Sequence, residues 1–176
     1  MCGIAGMLSA EADFTREGAL IEKISSSLKM RGPDERGEFT KPYVSLIHRR
    51  LCVIDPVGGK QPMSFGKYTI VYNGEIYNTD EVRRELIAKG HSFETHCDTE
   101  VVLKAYAQWK ADCCCRLNGI FAFAVWDDEA RELFLCRDRI GVKPLYYAQK
   151  DGIFAFASRI KSLLLIPQIT AEVDEN

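Results

Sequence analysis

The sequence lacks any apolar run long enough to cross a membrane. It also lacks an excess of either charge. A formal net charge of −2 leaves no basic field for nucleic acid or for an anionic membrane surface. The first residues show no charged region followed by an apolar stretch, so no secretory signal is expected. No two cysteines stand in a Cys-x-x-Cys pair, and no metal site is expected. The cysteines number seven and three of them are adjacent, which does not suit a secreted disulfide framework. Cys113, Cys114 and Cys115 read most simply as a reduced, partly buried run. Internal repeats, low-complexity segments and linkers are missing too. What remains is a cytoplasmic chain whose residues 1–176 form one domain, large enough to bury a real core.

The chain opens Met1-Cys2-Gly3-Ile4-Ala5-Gly6. Removing Met1 ahead of so small a residue would leave Cys2 with a thiol and a free α-amine on one carbon. An α-amine titrates near ~8 and a thiol near ~8.5, so a base and a nucleophile would share one residue. From Cys2 to Ser9 the residues are small and apolar, as in a buried strand. Thr15 can cap a helix carrying Leu20, Ile21, Ile24 and Leu28 at helical spacing. Arg31 to Gly37 holds two glycines and a proline and reads as a turn. Tyr43 to Val53 reads as strand. Tyr68 to Tyr72 reads as a short strand stopping at the turn dipeptide Asn73-Gly74.

Asn78 and Glu81 have capping-box spacing before a second helix that ends at Gly90. Asp98 is placed to cap a third, with Val101, Val102, Ala105, Tyr106 and Trp109 on its apolar face. Ile120–Trp126 with Glu132–Cys136, and Leu145–Gln149 with Ile153–Ala157, form two hairpins, the second turning at Asp151-Gly152. A short helix from Arg159 to Leu165 closes the pattern. Adjacent hairpins with grouped helices indicate an α+β fold with antiparallel sheets.

Four polar clusters fall at strand ends or turns: Cys2, His48-Arg49-Arg50, Asn73-Gly74-Glu75 and Asp98. A thiolate attacking a primary carboxamide needs a base, oxyanion donors and substrate anchors. The Cys2 amine can be the base. Asn73 and Gly74 can supply a side-chain and a backbone donor. An Arg can grip a carboxylate with its planar fork, and Glu75 and Asp98 can hold an ammonium. Together they describe a site for a free amino acid with a side-chain amide, namely glutamine. A pairing of cysteine with His48, His91 or His96 stays open, because spacing singles out none of them.

With these residues set out, the chain resembles the glutaminase domain of glutamine-dependent asparagine synthetases, class II glutamine amidotransferases of the N-terminal-nucleophile hydrolase fold. The matching segments are MCGIAG, RGPDERG, RLCVID, VYNGEIYN, CDTEVVL, RLNGIFAFAVWD and RDRIGVKPLYY, in family order. The resemblance implies a four-layer αββα sandwich. It implies that Cys2, freed of Met1, forms a γ-glutamyl thioester, releases ammonia and is regenerated by water. It places Asn73 and Gly74 in the oxyanion hole, Arg50 on the substrate carboxylate, and Glu75, Asp98 and the backbone of Leu51 and Val53 around the glutamine. It selects Arg50 over Arg49, which alternation sends to the opposite face as a solvent-exposed charge.

The resemblance further implies no cofactor in this chain. ATP and Mg belong to a synthetase domain that family members carry and this sequence does not show. Expected partners are L-glutamine and a synthetase domain or subunit receiving ammonia. Oligomeric state is open, a homodimer being one option. Another ammonia acceptor, as in glucosamine-phosphate synthase or phosphoribosylpyrophosphate amidotransferase, is the alternative reading. So is a non-catalytic glutamine-binding module if Met1 is retained. Two local departures from the family stand out: Arg159 where Glu is common, and the Cys113–Cys115 run.

Overall fold

The computed structural model describes residues 1–52 and 58–171. In chain order the elements are β1 (Gly3–Ser9), a 3-10 turn (Phe14–Arg16), α1 (Gly18–Ser27), β2 (Glu35–Lys41), β3 (Val44–Arg50), β4 (Met63–Phe65) and β5 (Tyr68–Ile76). They continue with α2 (Thr79–Ala88), α3 (Asp98–Trp109), a 3-10 turn (Lys110–Asp112), α4 (Cys113–Arg116), β6 (Gly119–Asp127), β7 (Glu132–Arg137), β8 (Tyr146–Lys150), β9 (Ile153–Ala157) and α5 (Ile160–Leu163). One sheet has the order β2-β3-β1-β9-β8 and the other β4-β5-β6-β7. Every pairing among the described residues is antiparallel.

Alternation along the strands builds three apolar layers. Ile4, Val44, Leu46 and Phe156 meet Val71, Ala122, Ala124 and Trp126 between the sheets. Ala5, Met7, Ile47, Ala155 and Ala157 turn the other way, onto Ile21, Ile24, Leu28 and Leu163 of α1, its C-terminal turn and α5. On the far side Ile70, Tyr72, Phe121, Phe123 and Val125 pack on Val82, Leu86, Val101, Val102 and Ala105 of α2 and α3. The result is the expected four-layer αββα sandwich.

Several local readings need correction. Asn73-Gly74 is not a turn: β5 runs through it, pairing Asn73 with Ala122 and Gly74 with Phe121. The apolar pairing of the whole strand outweighs the dipeptide's turn preference. A Cβ at position 74 would lie 2.6 Å from the Ile120 carbonyl oxygen, so glycine is required by space in the ladder. The Arg31–Gly37 turn is shorter than read, because β2 begins at Glu35 and pairs along β3. Its largely polar edge strand gives no apolar alternation. β4 has three residues and was equally silent.

The caps differ as well. Asp13, not Thr15, opens the first helical segment, accepting from Thr15 N–H at 3.1 Å. Asn78 precedes α2 but makes no side-chain cap. Its carboxamide instead donates to Arg116 C=O and accepts from Asn118 N–H, both at 2.9 Å, clamping α2 to the start of β6. Asp98 lies in the first turn of α3, one residue past the cap. Arg159 donates to Ser27 C=O at 2.9 Å, a cation on the C-terminal end of α1, which gives this family departure a structural role.

The first turn of α3 also organises the segment before it. Glu100 accepts from the backbone N–H of Glu94 and Thr95 and pairs with Lys104 at 2.6 Å. Burial alone would raise the Glu100 pKa. The Lys104 ammonium, the Thr95 hydroxyl and the two N–H groups outweigh it and hold the carboxyl at about 2. An unfolded glutamate titrates near ~4.3, so this contribution is complete above that pH and is lost as pH falls towards ~2. In urea titrations across that window, the wild-type midpoint is expected to fall more steeply than that of Glu100→Gln. Parallel slopes would rule out the account.

Candidate active site

Period-two alternation carries Cys2, Arg50 and Asn73 to one end of the gap between the sheets. Cys2 precedes β1 with the parity of Ile4, Arg50 ends β3 with the parity of Val44 and Leu46, and Asn73 shares the face of Val71. There the two inner faces stop meeting, and a cleft of about 400 Å³ opens. Cys2, Arg50, Leu51, Asn73, Gly74, Glu75 and Asp98 all line it. Met1, Gln61, Tyr72 and Lys143 are also on its wall, with Gly59, Cys97 and Thr99. Val53, also expected here, lies outside the described residues.

The Cys2 thiol donates to Leu51 C=O at 3.7 Å. Burial pushes this thiol up, against the opposing pull of the Leu51 contact, the Met1 ammonium and Arg50. The Cys2 carbonyl is gripped by Arg31 Nε at 3.0 Å, a residue that the sequence reading left in a turn without a role. The RGPD segment shapes the neighbouring backbone too. Asp34 N–H donates to Arg50 C=O at 3.0 Å, and the Asp34 carboxylate takes Cys52 N–H at 2.8 Å. A Cβ at Gly32 would sit 2.2 Å from the Arg49 carbonyl, so this turn must hug the end of β3.

Arg50 is 4% exposed and donates to Glu35 at 2.7 Å across the β2–β3 pair. Burial works against its charge, but the Glu35 carboxylate outweighs it and holds its pKa above the usual value. Glu35 was not foreseen, because β2 itself was not. Arg49 does point the other way, yet it is no free surface charge. Its Nε donates to the backbone and hydroxyl oxygens of Ser25, tying β3 to α1. His48 is buried, and its Nε2 is 3.2 Å from Tyr72 C=O, bridging the sheets. Burial, with Arg50 nearby, lowers its pKa to about 4, so it is neutral near pH 7. Neither it nor His91 or His96 lines the cleft, and His91 Nε2 is instead 2.9 Å from Gln108 Oε1. The histidine pairing therefore gains no support from the geometry.

Asn73 is 2% exposed, and its side-chain nitrogen has no acceptor among the described residues. Natural interiors rarely leave such a donor unpaired. On the adjoining strand edge, Tyr72 N–H donates to Gln61 Oε1 at 2.6 Å, and Ile76 N–H to Asp98 Oδ2 at 3.3 Å. Period two places Gly74 N–H on that edge between them. The cleft thus presents a thiol, a carboxamide donor and a backbone donor together, with a cation at one side. Asp98 stands on the wall, its carboxylate accepting from Tyr72 O–H at 2.6 Å, and Glu75 is exposed at the rim. Among the described residues, no group of three His, Cys, Asp or Glu side chains could hold a metal ion.

Comparison with known proteins agrees with this geometry. The family model described as a glutamine amidotransferase domain matches residues 1–176. The chain is 46% identical over 178 residues to asparagine synthetase [glutamine-hydrolyzing] 3 of Bacillus subtilis, covering 99% of this chain and 29% of that protein. It is 40% identical to asparagine synthetase [glutamine-hydrolyzing] 1 of the same organism, covering 99% and 28%. The chain therefore spans less than a third of these relatives' length. Among solved structures, the allosteric regulatory enzyme of purine biosynthesis superposes with a TM-score of 0.75 at 17% identity, over 94% of this chain and 43% of that one. The glutamine phosphoribosylpyrophosphate amidotransferase of B. subtilis gives 0.67 at 16% identity, over 94% and 44%. Those two likenesses bear on the fold.

The Asp98 environment is testable directly. Burial raises this carboxyl's pKa, while Tyr72 O–H and the backbone N–H groups of Ile76 and Thr99 oppose the rise. Tyr72→Phe removes one opposing donor. Carboxyl carbon NMR titration should show Asp98 protonating at a higher pH in the variant than in wild type. An unchanged or lower value would mean that Tyr72 does not support the charge.

Proposed function

Because the chain belongs to the glutamine amidotransferase domain family, we propose that it hydrolyses L-glutamine to glutamate and ammonia through a thioester on Cys2. One observation carries the reading. The buried Asn73 donor, in the same cleft as the Cys2 thiol, lacks an acceptor among the described residues. A substrate oxyanion supplies the missing acceptor.

The steps follow from the groups present. The Cys2 sulfur attacks the side-chain amide carbon, and its proton passes to the α-amine freed by loss of Met1. Asn73 Nδ2 and Gly74 N–H receive the oxyanion, a contact of the kind whose loss typically costs ~3 kcal/mol in the transition state. The ammonium of Cys2 then protonates the leaving nitrogen, and the C–N bond breaks to give ammonia. Water, deprotonated by the same amine, attacks the thioester carbonyl through a second oxyanion and regenerates the thiol. Arg50 grips the substrate carboxylate, held in place by Glu35, while Asp98 and Glu75 take the α-ammonium. Leu51 supplies backbone to the pocket wall.

Met1 lines this cleft, and Lys143 Nζ lies 3.3 Å from its sulfur. Processing of Met1 therefore frees the base and takes one side chain off the cleft wall. The ammonia acceptor is proposed to be an asparagine-synthetase domain or subunit, where ATP and Mg would serve. The kinship with glutamine-hydrolysing asparagine synthetases supports that choice over other acceptors.

Intact-mass analysis with an electrophilic glutamine analogue tests the nucleophile. The expected result is a chain without Met1 carrying one adduct on its N-terminal peptide. A chain that keeps Met1 and takes no label would point to a binding module. Steady-state assays test the pocket. Asn73→Ala should lower kcat by about 10²–10³. Arg50→Ala should raise the glutamine KM roughly ten- to hundredfold, as loss of hydrogen bonds to a charged group does. Arg49→Ala should instead lower the thermal midpoint with KM little changed. Equal KM effects from the two arginines would refute the assignment.

A further inference from the structure

Outside the cleft, the least ordinary group in the molecule is a knot of thiols. Cys114 Sγ lies 2.8 Å from Cys136 Sγ and 4.0 Å from Cys113 Sγ. Cys114 belongs to α4 and Cys136 to β7, elements far apart in sequence and joined here across the edge of the outer layer. A disulfide bond is about 2.05 Å long, so the Cys114–Cys136 pair is less than an ångström from bonding distance. Cys113 is fully buried, whereas Cys114 and Cys136 are half-buried. Both line a second cavity of about 320 Å³, together with Cys115, Arg137 and Arg139. The cavity opens both sulfurs to a small oxidant, with the Arg137 and Arg139 cations and the Asp138 carboxylate on its wall.

We propose that Cys114 and Cys136 form a redox-active pair that closes to an intramolecular disulfide on meeting a hydroperoxide. The surroundings prepare Cys114 to be the attacking sulfur. Its contacts with the Cys113 and Cys136 thiols lower its pKa, with Arg139 adding to the effect. The same contacts make Cys113 and Cys136 harder to ionise. Reactive cysteines characteristically combine partial exposure with such stabilisation of the thiolate.

In the first step the Cys114 thiolate attacks one oxygen of hydrogen peroxide. The O–O bond breaks, hydroxide leaves and is protonated to water, and Cys114 becomes a sulfenic acid. In the second, the Cys136 sulfur attacks the sulfenyl sulfur of Cys114. The S–S bond forms, the S–O bond breaks, and the hydroxyl leaves as a second water with the Cys136 proton. Each sulfur gives up one electron, and the peroxide takes both. A dithiol reverses the change by exchange. The disulfide ties α4 to the strand that runs into the Arg137–Lys143 turn. Within that turn Arg137 Nε donates to Lys143 C=O at 2.7 Å, and Lys143 borders the active-site cleft. The pair therefore staples the support of one cleft wall.

The test uses the full chain carrying Cys2→Ala, so that the cleft thiol does not consume oxidant. It is treated with hydrogen peroxide, alkylated without reduction and digested. The expected result is a loss of two hydrogens in the intact mass, and fragmentation of a linked peptide that places the bond between Cys114 and Cys136. Dithiothreitol should restore both thiols. In Cys136→Ser the linked peptide should vanish, and dimedone should label Cys114. Free thiols at both positions after treatment, or bonds from Cys114 only to other cysteines, would overturn the proposal. The mapping on the otherwise unaltered chain stands even if the serine variant folds poorly.

Discussion

Everything in this domain depends on two antiparallel sheets closing face to face. Tight closure requires small residues where backbones approach, and Ala122 and Ala124 meet this need on one side. On the other, a Cβ at Gly6 would lie 2.4 Å from the Phe156 ring. With the faces sealed by Ile4, Leu46, Val71 and Trp126, period two leaves no freedom in where Cys2, Arg50 and Asn73 point. A one-residue slip in β5 would turn Asn73 away from the cleft and Tyr72 into the gap. The register that builds the core is thus the register that assembles the site.

The charges of the site are held by fixed partners. Arg50 is set by Glu35 on the neighbouring strand, and Asp98 by Tyr72 and the Ile76 backbone. The Cys2 backbone is fastened by Arg31, with Asp34 and Gly32 shaping the chain beside it. Few of these supports touch the place a substrate would occupy. They restrict the rotamers of the groups that do, as a preorganised site demands.

Much of this was legible in the residues alone. A small apolar run showed β1, alternation showed β3, apolar runs split by polar turns showed β6 to β9, and helical spacing showed α1, α2 and α3. The residues that the matching motifs place around glutamine all line one cleft, apart from Val53, which is not among the described residues. What could not be read was whatever depended on a partner distant in sequence. β2 is a polar edge strand visible only through its pairing, so Glu35 stayed hidden with it. Asn78 has the local signature of a helix cap, but Asn118 and Arg116 compete for its carboxamide and win. Arg49 read as a surface charge because nothing local announces Ser25. The knot formed by Cys114 with Cys136 was hidden for the same reason, since adjacency drew attention to Cys113–Cys115 instead.

The Asn73 nitrogen, without an acceptor among the described residues, has a consequence for how this sequence can drift. A buried donor without an acceptor costs roughly 1–3 kcal/mol, a large share of the margin on which a domain survives. Any nearby substitution that offers it a permanent oxygen would make the resting fold more robust. The same substitution would occupy the donor that a reacting amide needs. Selection for sturdiness and selection for turnover therefore pull in opposite directions around this one nitrogen. Lineages that abandon the chemistry while keeping the scaffold should be recognisable by a neighbour that has moved in to satisfy it.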